Sequence, residues 1–381
     1  MVMPQMKSKA KSTTAAITEL DEKEFRLLIR QSLTPEEQER ITHPQDRYPK
    51  DKSVLAVHWH PEWVEMPLVH QRVNHMFPNM EEHLIIPTQH NELMVYDDFA
   101  GVEVDCYSPE FNCKVQLLLH FHPDRVKDAQ VLKSMISHTF NYRSGQLFNF
   151  LHKLAKESGD FGLQKAASQS GAGKEVLDFV RGLAQKLLLL LDQWEAEIPP
   201  TAIKNKLIRD FLDLQRSRVD KSLVDRAQFF VSNVKKQIKQ EFDLSYFYHT
   251  QDFIAETRAL GGGIVIPHPE QFWPVLIAGY DVDGIEVWNP QSFTYTEFLI
   301  NWVQAENKKR KKRERQLLTF MGDDCHLGEK LKPPTELNAE KAGREIGLQP
   351  PWADLKMQKS LIQACGQKEQ IIKEYRQRLE A

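Results

Sequence analysis

Seven short apolar runs, most of them giving way to histidine or acidic residues, constrain this chain more than any other feature. Four fall at 54–57, 84–86, 102–104 and 115–119, and three at 263–266, 285–288 and 317–321. Runs of this length, rich in Val, Ile and Leu and bounded by turn residues, read as buried strands. Helical stretches such as 293–304 separate the later runs, so the pattern predicts β/α units around a parallel sheet or barrel. Between the two groups apolar residues recur at helical spacing, as in Val176, Val180, Leu183, Leu187, Leu190 and Leu191, which reads as a helical insertion. The expected organisation is a tail and helices over 1–52, a first strand-bearing part over 53–125, the insertion over 126–260, a second strand-bearing part over 261–328 and helices over 329–381. Residues 1–17 read as a polar tail. Within the N-terminal part Thr34 is placed to cap a helix that begins at Pro35, and this helix and the one before it are expected to pack outside the core.

Composition narrows the function classes. With 381 residues, 41% of them hydrophobic, the chain can bury a substantial core and is not globally disordered. Fifty basic against fifty-three acidic side chains leave a formal charge of -3, so there is no chain-wide field for nucleic acid or an anionic membrane. No apolar stretch approaches the roughly 20 residues of a membrane span, and the chain reads as cytoplasmic. Four cysteines without a CxxC pair read as free thiols.

The chemistry sits where the runs end. In His58-Trp59-His60 the two imidazoles are two residues apart, so an extended backbone points both to one side, where neutral imidazoles can share a metal ion. His90 follows the second run, Glu103 lies in the third, His120 and His122 end the fourth, His268 follows the fifth, and Asp324 with His326 follows the seventh. All are N or O donors suited to borderline divalent metals. They fall at or near C-terminal strand ends, the face on which barrel enzymes assemble their sites. His120 and His122 share a face, and only the HxP context favours His122. Trp59, between two ligand candidates, is expected to pack in the core, and Cys325 to turn away from Asp324 and His326.

The order of these motifs resembles the PHP (polymerase and histidinol phosphatase) superfamily. His58-Trp59-His60 is similar to its opening HxH, Thr88-Gln89-His90 to its TDH, Gly101-Val102-Glu103 to its GxE, Pro267-His268-Pro269 to its AHP step, Gly284-Ile285-Glu286-Val287-Trp288-Asn289 to its GIEVYN strand, and Gly322-Asp323-Asp324-Cys325-His326 to its GSDxH. The likeness covers about 53–125 and 261–328. It implies a distorted (β/α)7 TIM-like barrel, here with a large helical insertion and C-terminal helices, and two or three divalent ions, zinc, manganese or iron. It further implies His58, His60, Glu65, His90, Glu103, His122, His268, Asp324 and His326 as metal ligands, with Glu103 bridging two ions. Glu103, His122, Asp324 and Arg125 become the catalytic candidates, Arg125 as a contact to substrate phosphate or as a helix cap. Gln89 stands where the family carries Asp, so a carboxylate next to the ligands is missing there.

The implied reaction is hydrolysis of a phosphoester, in a small molecule or a nucleic acid, by metal-activated water. Two other classes stay open: a PHP-like module that binds metal in nucleic-acid processing or as a scaffold without turnover, and a metal-dependent amidohydrolase. The basic run 308–315 is the sharpest local charge feature and could contact a phosphate backbone, although a solvated helix face is the plainer reading. Gly171-Ala172-Gly173-Lys174 lacks the first Gly and the Ser/Thr of a phosphate loop, and is expected to be a turn between helices.

Overall fold

The computed structural model describes residues 16–156, 160–310, 315–332 and 339–381. Most of the N-terminal tail, and positions 311–314 of the basic run, lie outside the described residues. The chain divides into two compact units, one formed by the described residues up to Gln31 with Asn141–Asp243, the other by Ser32–Phe140 with Leu244–Ala381.

The first unit is helical. Glu19–Ile29, Phe161–Ser170, Lys174–Gln193, Lys206–Leu214 and Lys221–Glu241 bury Phe25, Leu163, Val180, Leu187, Phe211 and Phe230 in a common core. Helix Glu19–Ile29 therefore belongs to this unit, where Phe25 and Ile29 are part of the helical core. Gly171, in the left-handed region at φ 64, ends one helix, and Gly173 stands at the N-cap of the next. That segment is a helix-to-helix turn. No described helix is long and apolar enough to cross a membrane.

The second unit carries ten strands among the described residues: β1 (Ser53–Ala56), β2 (Trp59–His60), β3 (Glu82–Ile85), β4 (Met94–Tyr96), β5 (Phe99–Ser108), β6 (Cys113–Phe121), β7 (Gly263–Ile266), β8 (Gly284–Trp288), β9 (Leu318–Met321) and β10 (Cys325–His326). Each of the seven expected runs is a strand; β2, β4 and β10 are additional. Thr34 does cap the helix Pro35–Thr42, its hydroxyl accepting from Glu37 N at 3.2 Å, and this helix contributes Ile41 to the core around β1.

The strands form a six-stranded sheet in the order β4-β5-β6-β7-β8-β9 and two parallel pairs, β1-β3 and β10-β2. The expectation of an all-parallel arrangement is corrected here: β4-β5, β5-β6 and β6-β7 are antiparallel, and only β7-β8 and β8-β9 are parallel. Pro109 to Asn112, the link between β5 and β6, is far shorter than the dozen or more residues a parallel crossover requires. Isolated backbone bonds join the sheets beyond their ladders, Glu103 N donating to Gln89 O at 3.1 Å among them. Asn91 N donates to Glu103 O at 2.7 Å, linking the segment after β3 to β5, and Asp324 N donates to His58 O at 2.8 Å, linking the segment after β9 to that after β1.

Strand alternation sorts the side chains into two cores. Val102, Val104, Leu117, Leu119, Ile264, Ile266, Ile285 and Val287 pack on one face. The other face presents Leu118, Val265, Leu318 and Phe320 to Leu55 and Val57 from β1 and its end, to Leu84 and Ile86, and to Ile371, Ile372, Tyr375 and Leu379 of helix Lys368–Glu380. Glu103 pairs in register with Leu118, and Glu286 with Phe320, so both carboxylates belong to this second face.

Candidate metal centre

His58 and His60 leave the end of β1 and enter β2, both fully buried, with ring centroids 5.3 Å apart. His60 lies between two other imidazoles: the rings of His90 and His326 each stack on it at 4.2 Å. His58 faces His268 at 5.6 Å. Three overlapping trios result, His60-His90-His326, His58-Glu103-His268 and His58-His60-Asp324, each with its ligand atoms within 4.8 Å of one another. Seven of the nine residues expected to ligate metal therefore converge: His58, His60, His90, Glu103, His268, Asp324 and His326.

Electrostatics give these groups different protonation states. Burial, reinforced by the neighbouring His326 and His90, lowers the His60 pKa to about 3, so its ring is neutral and keeps a lone pair for a cation. Burial opposes a charge on His58, yet the carboxylates of Glu286, Glu103 and Asp324 outweigh it and raise its pKa to about 10. His326 rises to about 9 against burial through Asp324 and Glu62. Glu103 is buried, which disfavours its charge, but His90, His268 and His58 hold it well below the ordinary carboxylate range. Asp324 is held low in the same way by His326, His60 and His58.

The packing leaves valences that a cation would fill. Neither ring nitrogen of His60 and neither carboxylate oxygen of Glu103 has a hydrogen-bond partner, although His90 Nδ1 forms an ion pair with Glu103 Oε2. His60 Nε2 stands 3.7 Å from Glu103 Oε2 and 3.5 Å from Asp324 Oδ1. Buried polar groups are otherwise almost always satisfied, and imidazoles with carboxylates suit zinc, manganese or iron. The residues present thus fit divalent cations.

Other side chains aim the ligand candidates. Glu286 Oε1 bonds His58 Nδ1 at 2.6 Å, turning Nε2 towards Glu103 and Asp324, while Oε2 accepts from His268 N at 2.9 Å. Gly322 makes room for this carboxylate, because a Cβ there would overlap it. Arg344 Nη1 and Gln291 Nε2 bond Asp324 Oδ2 at 2.7 and 2.6 Å, leaving Oδ1 to His58, His60 and His326. His268 and Asp324 have left-handed backbones at φ 28 and 45, a strain typical of functional positions. The adjacent acid does something else: burial pushes the Asp323 pKa well up, and its Oδ2 accepts from Gly347 N at 2.8 Å.

The structure does not bring Glu65, His122 or Arg125 to this cluster. Glu65 is the exposed N-cap of helix Met66–Met76; the acid near His326 is Glu62. The register of β6 explains the other two. His120 pairs with Gly263 at the start of β7, whereas His268 follows the end of β7. Antiparallel β6 therefore delivers His122 and Arg125 to the opposite rim. His122 Nδ1 stands 3.7 Å from Asp124, and the guanidinium of Arg125 lies beside Gly261. His120 is no ligand either, since Nδ1 meets the Tyr375 hydroxyl at 2.7 Å and Nε2 meets Val57 O at 3.1 Å. A carbonyl only accepts, so Nε2 carries the proton and Nδ1 accepts from Tyr375. Trp59 and Cys325 are buried in the core around β1, as expected.

Glu286, Glu62, Arg344 and Gln291 went unassigned from sequence. Glu286 carried a signal in the GIEVWN segment; Arg344 carried none. Replacing Glu286 by Gln removes the charge behind His58, and such partners typically contribute 10–100-fold to metal affinity. Glu286→Gln is expected to weaken zinc binding by roughly that factor in a chelator competition; unchanged affinity would show that Glu286 does not orient His58.

No known protein-family profile and no curated protein matches the chain. Similar solved structures include a candidate metal-dependent phosphoesterase from Bifidobacterium adolescentis, 18% identical with a TM-score of 0.43 over 84% of this chain and 98% of that one. Another is an amidohydrolase from Chromobacterium violaceum with bound sulfate and no metal, 14% identical with a TM-score of 0.40 over 81% of this chain and 97% of that one. Both likenesses are too distant to carry an argument, and the reading of the centre rests on its own geometry.

Proposed function

We propose that this protein is a metal-dependent hydrolase that cleaves phosphoesters, built on the mixed six-stranded sheet and its two flanking strand pairs. The observation that carries the reading is the convergence of a neutral, unpartnered His60 with the ionised Glu103 and Asp324 inside three overlapping ligand trios. Divalent cations held there would supply Lewis-acid polarisation of the phosphoryl oxygen and a water whose pKa is lowered towards neutrality. The chain's own groups do the rest. Glu103 faces His58, His60, His90 and His268, which suits a carboxylate shared between ions. Arg344 and Gln291 hold Asp324 to a single inward oxygen, and Glu286 fixes the ring of His58. The motif order favours phosphoesters over amides. The test is a panel of generic aryl phosphomonoesters, phosphodiesters and anilides with added manganese or zinc. Turnover confined to phosphoesters supports the reading, and turnover confined to anilides overturns it.

The charged imidazoles make metal uptake depend on pH. With the His58 pKa near 10 and that of His326 near 9, both rings are protonated in the metal-free protein at neutral pH, and a cation that takes their place must displace those protons. Zinc affinity is therefore expected to rise from pH 6 to pH 9 with net proton release, read by calorimetry in buffers of differing ionisation enthalpy. The stability of the metal-free fold changes in the opposite sense. Both folded-state pKa values exceed the ordinary 6.5, so the stabilisation is complete below that pH and is lost as the pH climbs through 9 to 10. Thermal melts of chelator-treated protein at pH 7 and pH 10 measure it; a higher melting temperature at pH 10 would contradict this charge assignment.

A further inference from the structure

The carboxylate that Gln89 does not supply reaches the cluster from another part of the chain. Glu62 follows β2 with its backbone in the left-handed region at φ 54, a conformation that a non-glycine residue keeps only when its surroundings hold it. Three contacts do so. Its amide donates to Gln89 Oε1 at 2.9 Å. Its Oε1 lies 3.2 Å from His326 Nδ1. Its Oε2 lies over Gly328, where a Cβ would overlap the carboxylate. The other nitrogen of His326, Nε2, stands 3.3 Å from Asp324 Oδ1, and the His326 ring stacks on His60. The ring is thus held from behind by one carboxylate while its far side faces the centre, the same relation that Glu286 has to His58.

We infer that Glu62 is a positioning residue of the centre: it accepts a hydrogen bond from His326 Nδ1 and so turns Nε2 towards the space where His60 and His90 would hold a cation with it, while Gln89 holds Glu62 in place. The inference rests on the reading of the cluster as a metal centre. It gives Gln89 a purpose, because its side-chain carbonyl accepts from the Glu62 amide and so fixes the backbone that carries the carboxylate.

The test compares full-length parent, Glu62→Ala, Gln89→Ala and Glu65→Gln, with near-UV circular dichroism as the folding control. Zinc content comes from elemental analysis and affinity from chelator competition. Glu62→Ala and Gln89→Ala are each expected to hold their weakest zinc equivalent about 10–100-fold less tightly than the parent, and Glu65→Gln to match the parent. In zinc-loaded parent, 15N NMR is expected to show His326 protonated at Nδ1 and bound through Nε2. A parent that binds zinc while Glu62→Ala binds it equally well overturns the role of Glu62, as does a His326 bound through Nδ1. A parent that binds no zinc removes the centre itself, and with it any ion for Glu62 to serve.

Discussion

Replacing both His60 and Asp324 by alanine is expected to yield a folded protein that keeps at most the ion of the His58-Glu103-His268 trio and shows no hydrolytic turnover. His60 belongs to two of the three trios and Asp324 to one, so the pair reaches two of the three candidate ion positions. Side chains that merely orient a ligand contribute 10–100-fold to metal affinity; removal of two ligands should exceed about 100-fold on that scale. The fold should survive. His60 is neutral and its Nε2 stands no nearer than 3.5 Å to Asp324 or Glu103, so its loss leaves a cavity rather than a stranded charge. Removing Asp324 does leave Arg344 without that partner, though Glu340 still bonds its Nη2 at 2.8 Å. Elemental analysis of parent and variant, purified side by side, reads the metal, and an aryl phosphoester with added manganese reads the turnover. Equal metal in both proteins, or none in either, would end the reading of this cluster as a metal centre.

Deleting the chain from Lys368 onward is expected to abolish the native fold of the strand-bearing unit. Helix Lys368–Glu380 places Ile371, Ile372, Tyr375 and Leu379 in the second core, all at 0% exposure. Burial of one such side chain contributes about 1.5–3 kcal/mol, so the four together reach roughly 6–12 kcal/mol, which rivals the roughly 5–15 kcal/mol that holds a whole domain together. Polar losses add to this. His120 Nδ1 would lose the Tyr375 hydroxyl, and Asp283 would lose Arg378 at 3.3 Å. Loss of the near-UV dichroism and of a cooperative melt is the expected result; a truncated protein that melts as the full chain does would show that this helix is peripheral. The milder Tyr375→Phe keeps the ring and strands only the His120 acceptor, a loss of about 1–3 kcal/mol.

Much of the candidate centre is legible in the sequence because metal chemistry restricts the residue types and strand alternation restricts their spacing. His58 and His60 are two apart at a strand end, and Asp324 and His326 are two apart after another; a parallel pairing of β10 with β2 then sets His326 opposite His60. The misplacement of His122 and Arg125 has one cause. Nothing in 115–121 states which way the strand runs, since an apolar run has the same composition in either direction. The short link from Pro109 to Asn112 was the available clue, and it reverses β6 and carries His122 and Arg125 to the wrong rim.

What sequence alone determined was local: which segments are strands and helices, the cap at Thr34, and the donor types able to hold a divalent cation. These follow from backbone sterics, side-chain period and ligand chemistry, all of which act over a few residues. Only the tertiary structure decided which donors meet and which groups stand behind them. Glu62 rather than Glu65 reaches His326, Glu286 turns His58, and Arg344 crosses from the C-terminal segment to Asp324. Coulombic and hydrogen-bonding partners are chosen by distance in space, and in a chain whose partners lie 228 or 264 positions apart that distance is fixed by strand direction and packing.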